Sequence, residues 1–376
     1  MQINLMTPIN QLGYGVAGLN IFKELRKQAD VSLFPIGEPQ VVNEEDANAV
    51  RSGMSIAKFY NPNAPCIKIW HQNQMAERIG SGRFIGFPIF ELDTFSELEK
   101  HHLISCDELM VCSEWARKII LGGNFGYYKA DGRPKLPPKT HVVPLGVDAE
   151  LFSPAPARQD DKTIFFNCGK WEKRKGHDVL IECFNRAFKE DDNVELWMMC
   201  DNPFIGDSNE KWRSLYKTSP LGSKIKIIPR QHSQQDVYSI MSRTDCGVFP
   251  ARAEGWNLEA LEMLACGKDV ITTDYSAHQE FCNKDNSFLI DIDEKEMAHD
   301  GVFFDGMVGK WAALGNEQKD QLIEHMRMVH GIKEQYINGW DTQMREFHST
   351  NHAGIKTAQQ FTWNNTANKI KEILNG

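Results

Sequence analysis

The chain has no uninterrupted apolar run of bilayer length, so no membrane-spanning helix is expected. Its first residues, MQINLMTPINQLGYGV, contain no basic stretch followed by a long apolar core, so a signal peptide is not expected. Nine cysteines are scattered without a C-x-x-C pair. An odd, unpatterned set suits a reducing compartment better than a disulfide framework, and a cytoplasmic location is the expectation. Positive charge is not in excess either: 42 lysines and arginines stand against 51 aspartates and glutamates, a formal charge of −9. That argues against a protein holding nucleic acid by bulk electrostatics, which needs a dense basic stripe, and leaves open only a local patch. Basic segments such as KELRKQ (23–28) read as solvated helix faces. No internal repeat of 20 to 50 residues is visible.

What is present is a soluble globular composition, 41% hydrophobic and 25% charged. At 376 residues the chain is too long for one ordinary core and fits two domains. The first part alternates strands and helices: a strand near 2–6, a helix from about Gly15 to Gln28, a strand at 31–36, then CIKIWH, FIGFPIF and DELMVCS, the last followed by a helix beginning EWARKII. Around 130–162 the composition turns proline-rich and charged, which marks a domain boundary. A second alternating set follows, through TIFFNCG, HDVLIECFNRAFKE, VELWMMC, KIKIIP, a helix at 234–242, DCGVFP, a helix at 258–266 and DVITTD. Beyond about 294 the chain is expected to be mainly helical. Alternation of this kind implies parallel sheets covered by helices, with ligands at the carboxyl ends of the strands.

Gly13, Gly15 and Gly18 have the spacing G-x-G-x-x-G, and Glu38 lies about 20 residues further on, where a ribose-binding acid of a dinucleotide fold is expected. In that fold, however, the strand runs directly into the first glycine, whereas TPINQL intervenes here.

The most informative stretch is VFPARAEGWNLEALEMLACGKDVITTD, 248–274. A strand ends at Pro250, a loop carries Glu254, Gly255, Trp256 and Asn257, and a helix then runs to a terminating Gly267. Glu254 and Glu262 lie eight residues apart; at about 1.5 Å per helical residue that is about 10 to 12 Å. A nucleoside-diphosphate sugar has hydroxyl-bearing rings at both ends of a pyrophosphate, so one carboxylate can serve the ribose and the other the sugar. The amides of Gly255, Trp256, Asn257 and Leu258, at a helix N-terminus, would face the anion between them. Glutamates at such spacing are common, and taken alone the pair reads as an exposed loop acid and a solvated helix residue.

The stretch EGWNLEALEMLACG resembles the E-x7-E signature of retaining glycosyltransferases of the GT-B fold, family 4. Asn257 stands where the family usually has a small residue and Asp269 where it usually has proline. FFNCGKWEKRKGHDVLIECFNRAF resembles the family's G-[RK]-x4-K-G segment; on that match Lys170 and Lys175 neutralise the donor pyrophosphate. HVVPLGVDAELFSP resembles its interdomain segment, and QQFTWNNTANKIKEIL its terminal helix, which returns to the first domain. The resemblance implies two Rossmann-like βαβ domains facing each other across a cleft: residues 1–155 with the returning helix 360–376 on the acceptor side, and residues 156–359 binding the nucleotide sugar.

It further implies that Gly13 and Gly15 belong to a glycine-rich loop approaching the donor, with Gly18 left to helix–sheet packing. Such enzymes are thought to use no fixed nucleophile: the leaving phosphate takes the acceptor's proton, and the protein positions the reactants and stabilises charge. Glu254, Glu91 and Lys175 are then the candidate catalytic residues. Glu91 stands where many relatives have a histidine; it would orient a sugar hydroxyl or the acceptor, or stabilise charge at the anomeric carbon, or else it is a helix-capping or buried acid. His71 and Asp93 are further candidates for sugar or acceptor contact.

The resemblance implies no cofactor and no metal. The histidines, His232 and His278 among them, show no metal-ligand spacing, and Asp291-Ile-Asp293 has the D-x-D form of the other major glycosyltransferase fold but lies far downstream of a nucleotide-binding half. Expected partners are a nucleotide-sugar donor and a hydroxyl acceptor, which could be a glycan, lipid, metabolite or modified nucleic-acid base. The alternatives are a nucleotide-sugar epimerase or an inactive, GT-B-like sugar-nucleotide-binding subunit.

Overall fold

Short apolar strands alternating with helices build two six-stranded sheets in which every pairing is parallel. The computed structural model describes residues 1–123, 136–156, 158, 160–339 and 350–376, the side chains of 336, 338 and 339 excepted. The linker expected at 130–162 therefore falls partly outside the described residues. The chain forms two compact units, Met1–Gly146 with Phe361–Gly376, and Val147–Gln360.

In the first unit the elements run β1 (Gln2–Thr7), α1 (Gly13–Arg26), β2 (Asp30–Pro35), α2 (Glu44–Ala57), β3 (Cys66–Trp70), β4 (Phe84–Pro88), α3 (Glu97–Leu103), β5 (Glu108–Val111), α4 (Glu114–Gly122) and β6 (Lys139–Val142). The sheet order is β2-β1-β3-β4-β5-β6. Cys66, Ile67 and Ile69 of β3 are buried, as a central parallel strand covered on both faces requires. Lys68 interrupts that run, and its buried ammonium is satisfied by donating to the Gln74 carbonyl at 2.6 Å. Side-chain caps start the helices: Asn43 accepts from the Asp46 amide, Ser96 from Glu99, and Ser113 from Ala116. The helix nearest the end of the sequence, Trp363–Asn375, is part of this unit. Gln28 donates to Asn368 Oδ1 at 2.9 Å, and Arg83 to the Ile373 carbonyl at 3.0 Å.

The second unit runs β7 (Thr163–Gly169), α5 (His177–Ala187), β8 (Val194–Cys200), α6 (Ser208–Lys217), β9 (Ile225–Ile227), α7 (Gln234–Met241), β10 (Cys246–Phe249), α8 (Leu258–Ala265), β11 (Asp269–Thr273) and β12 (Phe288–Ile290). Its sheet order, β12-β11-β10-β7-β8-β9, puts β7 and β10 side by side at the centre. A core of Phe165, Leu180, Phe184, Leu196, Met198 and Val248 packs beside it.

Two expectations are corrected here. The region after 294 is not simply helical: an antiparallel pair, β13 (Lys295–His299) and β14 (Asp305–Ala312), precedes the long helix α9 (Asn316–Gly339). Its strands carry glycine and charge and are largely exposed, so they lack the period-2 apolar signal of a half-buried strand. The helix near the start begins earlier than expected, at Gly13. Gly13 and Gly15 thus lie in its first turn, and the loop is Pro8–Leu12. After α9, α10 (His352–Ala358) precedes α11 (Trp363–Asn375).

Candidate active site

The carboxyl ends of β7 and β10 bring three loops of the second unit together. After β7 the chain turns at Gly169 (φ 138) and Gly176 (φ 73). A Cβ on Gly176 would lie 2.0 Å from the Pro250 carbonyl oxygen, so only glycine lets this loop meet the end of β10. Between the two glycines sits KWEKRK. After β10 comes Ala251–Asn257, and after β11 the turn Ser276–Glu280.

Glu254 is buried among cations. Lys175 Nζ donates to its Oε1 at 2.8 Å, and Arg174 Nη1 to its Oε2 at 2.8 Å. Arg174 also donates from Nη1 to the Ala253 carbonyl at 2.7 Å, and from Nε and Nη2 to Glu172 Oε2. Lys170 meets Glu172 Oε1 at 2.6 Å. Burial would push the Glu254 carboxyl up, but the charges of Arg174 and Lys175 overcome it and hold the group well below the carboxylate range. In Glu172 too, burial is overridden by Arg174 and Lys170. Lys175, whose ammonium burial would disfavour, is raised by Glu254 and Glu259. These ion pairs stay charged because each partner supplies what water would.

Glu262 contrasts with Glu254. It lies on α8, and burial, reinforced by the charge of Glu259, drives its carboxyl well above the usual range. The two acids do not share one helix: α8 begins at Leu258, so helical rise separates only the second half of the interval. Asn257 caps α8, its Oδ1 accepting from the Ala260 amide at 3.1 Å. It does so at φ 84, a region that glycine enters freely and asparagine tolerates. A residue of small or asparagine type at this position therefore answers to the backbone conformation of this chain. Asp269, in the other departure, opens β11, and burial beside Asp245 raises its carboxyl to about 6. Gly267 ends the helix at φ 70, the left-handed terminator read from the sequence.

Gly255, Trp256 and Asn257 are buried and Leu258 half-buried. The amide of Glu254 donates to Ser276 Oγ at 2.9 Å, which fixes the start of the turn. Behind the lysine loop, the Glu172 amide donates to His177 Nδ1 at 3.2 Å, and His177 Nε2 is 3.0 Å from Asn167 Oδ1. With Nδ1 accepting, Nε2 carries the proton. Burial, with Lys175 close by, lowers this imidazole to about 3 and keeps it neutral. Arg252 spans three segments, donating to Asp178 Oδ1 and Oδ2 at 2.8 and 2.9 Å, to the Lys173 carbonyl, and to Glu296 of β13 at 3.0 Å.

The remaining candidates lie in the first unit, where β1, β3 and β4 end. Tyr14 gathers them: its ring centroid is 4.6 Å from that of His71 and 5.5 Å from that of Trp70, and its hydroxyl donates to the Ile89 carbonyl, two residues before Glu91. Gly13 and His71 are exposed, Glu91 and Asp93 half-buried. A Cβ on Gly13 would meet nothing within 4 Å, whereas on Gly15 it would lie 2.3 Å from the Asn10 amide nitrogen and on Gly18 2.1 Å from Thr7 Oγ1. The close approach that Gly15 permits is therefore to the chain's own Pro8–Leu12 loop, and Gly18 is a helix–sheet contact. Asp293 accepts from Gln318 Nε2 at 2.8 Å, an anchoring of α9 that accounts for the D-x-D acid.

Sequence reasoning assigned no role to Arg174, Glu172, Asn167, His177, Arg252 or Ser276. The KWEKRKG run is the signal that could have raised Arg174 and Glu172, and His177 lies close to it in sequence, bonded to Glu172 and Asn167; Asn167, Arg252 and Ser276 also bond across 22 to 81 residues of chain, as from Glu254 to Ser276 and from Asn167 to the Val248 carbonyl, which no local pattern reveals.

Known proteins resemble this chain in both sequence and fold. The family described as Glycosyl transferases group 1 matches residues 161–301, the stretch holding Lys170, Lys175, Glu254 and Glu262. A relative, "Putative glycosyltransferase 45" of Sulfolobus islandicus filamentous virus, is 20% identical over 276 residues, 68% of this chain and 72% of that protein. The D-inositol 3-phosphate glycosyltransferase of Segniliparus rotundus is 27% identical over 154 residues, 39% of this chain; the chain spans only 33% of that protein. Among solved structures, Anabaena Alr3699/HepE in complex with UDP-glucose matches with a TM-score of 0.65 at 16% identity, covering 100% of this chain and 99% of that one. The fold is thus two parallel-sheet, Rossmann-like α/β domains matching GT-B glycosyltransferase structures. Together the matches support a transferase enzyme. Among the described residues no helix is long and apolar enough to cross a membrane.

Proposed function

We propose that the protein is a retaining glycosyltransferase of family 4 that moves a sugar from a nucleoside-diphosphate-sugar to an acceptor hydroxyl. The observation that carries this reading is the buried set Glu254–Arg174–Lys175–Glu172, with half-buried Lys170 paired to Glu172, beside the N-terminus of α8.

Donor counting separates the roles of the cations. Arg174 spends its guanidinium on Glu172, Ala253 and Glu254, so it braces the site. Lys175 and Lys170 each make one ion pair here, and an ammonium has three protons to give; they retain donors for pyrophosphate oxygens. The oxygens of Glu254 each accept from one cation and keep lone pairs for sugar hydroxyls. Glu262 takes the ribose end. The amides of Gly255, Trp256, Asn257 and Leu258 serve the diphosphate between them. In the transfer, the bond from the anomeric carbon to the diphosphate oxygen breaks with its electron pair going to the phosphate. The acceptor oxygen bonds to the same face of the sugar, and its proton passes to the departing phosphate. Lys170, Lys175 and the helix amides stabilise the charge that develops there. Glu91 joins Glu254 and Lys175 at the reacting centre, Gly13 faces the donor, Gly15 serves by letting the Pro8–Leu12 loop close on the start of α1, His71 and Asp93 are assigned to sugar or acceptor contact, and no metal is required.

A thermal-shift screen of UDP-, GDP- and ADP-sugars tests the donor reading, because a ligand that binds only the native state raises Tm. UDP-glucose is the first to try, since a structural neighbour was solved with it. A shift with one nucleotide class, weakened in Glu262→Gln, is expected; no shift with any of them sinks the reading. The anomeric configuration of the product, read by NMR, tests retention.

A further inference from the structure

Two non-glycine residues among those described have φ in the left-handed region, Asn257 at 84 and Ser276 at 54. Both are buried, at 5% and 0% exposure, and both adjoin Glu254. Ser276 Oγ accepts from the Glu254 amide at 2.9 Å, and the Ala277 amide donates to the Glu254 carbonyl at 3.3 Å. Asn257, besides capping α8, donates from Nδ2 to His278 Nε2 at 2.9 Å. His278 is fully buried. Its Nδ1 lies 3.2 Å from the Thr273 carbonyl oxygen, which can only accept, so Nδ1 carries the proton and Nε2 is left to receive the Asn257 amide. Thr272 Oγ1, which donates to the Phe249 carbonyl at 3.0 Å, lies against the same ring.

Glycine would occupy both φ values without strain, whereas a side chain there costs on the order of 1 kcal/mol or more. At both positions the side chain makes a bond that glycine cannot make. Taking the 254–262 segment as the donor site, we propose that His278, Asn257 and Ser276 are positioning residues. Ser276 fixes the backbone of Glu254, while His278 holds Asn257 in the one conformation that aims the turn amides and the start of α8 at the diphosphate-sugar. Burial lowers the His278 imidazole to about 4, against the opposing effect of Glu254 and with the help of Lys175 and Arg174, so it remains the neutral acceptor at physiological pH.

The test uses the full chain with UMP and UDP-glucose as probes, titrated calorimetrically, with Tm measured in parallel. GMP and GDP-mannose, or AMP and ADP-glucose, replace them if that pair gives the larger thermal shift. Asn257→Gly and Ser276→Gly keep the backbone conformation and remove only side-chain bonds, in Asn257→Gly the cap to Ala260 as well as the bond to His278; His278→Ala removes the anchor and leaves the cap. Each is expected to hold UMP within about twofold of the wild type and to lose about tenfold in UDP-glucose affinity, because the ribose end at Glu262 is untouched. His278→Gln, whose amide can accept from Asn257 and donate to the Thr273 carbonyl, is expected to recover most of that loss. An unchanged ratio of UDP-glucose to UMP affinity in folded variants overturns the proposal. So does a parallel fall for both ligands that follows Tm, which is what a merely structural role would give. If Glu262→Gln weakens UMP while the three variants keep the wild-type ratio, only the positioning role fails. If Glu262→Gln leaves UMP untouched, or the wild type binds none of the nucleotides, the donor reading fails and the proposal with it.

Discussion

The two units carry their candidate residues in different physical settings. In the second, Glu172, Arg174, Lys175, Glu254 and Glu262 are all buried, and the first four are bonded to one another. In the first, Gly13 and His71 are exposed, Glu91 and Asp93 are half-buried, and ring packing around Tyr14 draws the segment together. A buried charge network tolerates few alternatives, because removing one member strands another in a poor solvent. A rim of half-exposed side chains tolerates many. Under the proposed function, donor recognition is built on the former and leaves a readable pattern of residues, whereas acceptor recognition is built on the latter and need not.

Substitutions can sharpen that contrast. The largest effect is expected from Arg174→Ala, which leaves Glu172 and Glu254 under-compensated in the interior: about 3 to 5 kcal/mol of stability, by the usual cost of breaking a buried pair, read from urea unfolding. A loss below about 1 kcal/mol would mean that water reaches the cluster and that the units differ less than described.

Acid should act next, through the second unit's buried histidines. His177 and His278 have imidazoles lowered to about 3 and about 4, so the unfolded chain binds more protons between those values and the ordinary histidine range. Stability therefore falls as pH drops through that window, by about 3 kcal/mol per histidine between pH 6.5 and pH 4. Measuring the unfolding free energy at both pH values in the wild type and in His278→Gln, which cannot titrate there, should show a pH-dependent loss smaller by about that amount.

The first unit is probed by its glycines. Gly18→Ala places a Cβ 2.1 Å from Thr7 Oγ1, and overpacking of this kind costs about 1 to 3 kcal/mol. Smallest, and opposite in sign, is Gly13→Ala. Its Cβ would enter open space at the start of a helix, for a gain of about 0.5 kcal/mol; if Gly13 contacts the donor sugar, transfer slows while Tm rises.

Much of the second unit was legible beforehand. EGWNLEALEMLACG contains a turn, a helix and a Gly267 terminator whose residue types each have a local cause. By contrast, that Lys175 and Arg174 meet Glu254 depends on β7 and β10 lying side by side, which places residues 79 and 80 positions apart within 2.8 Å. The β13–β14 pair escaped because exposed strands carry little apolar alternation. Gly13 and Gly15 were read as a loop because glycine in a first helical turn gives no sign of helix. Asn257 stood out in the sequence only as a departure from a small residue; its positive φ is a property of the backbone that no residue pattern carries.

The contacts of α11 also bear on how the protein is made. Thr366 donates to the Pro144 carbonyl at 2.8 Å, and a Cβ on Gly146 would collide with the Trp363 amide at 2.2 Å. As synthesis proceeds from the amino end, the first unit waits for the stretch 361–376 to emerge before it can close, while the second unit's sheet, complete by Ile290, is already free to assemble. Until then α1, against which α11 packs, keeps one flank uncovered.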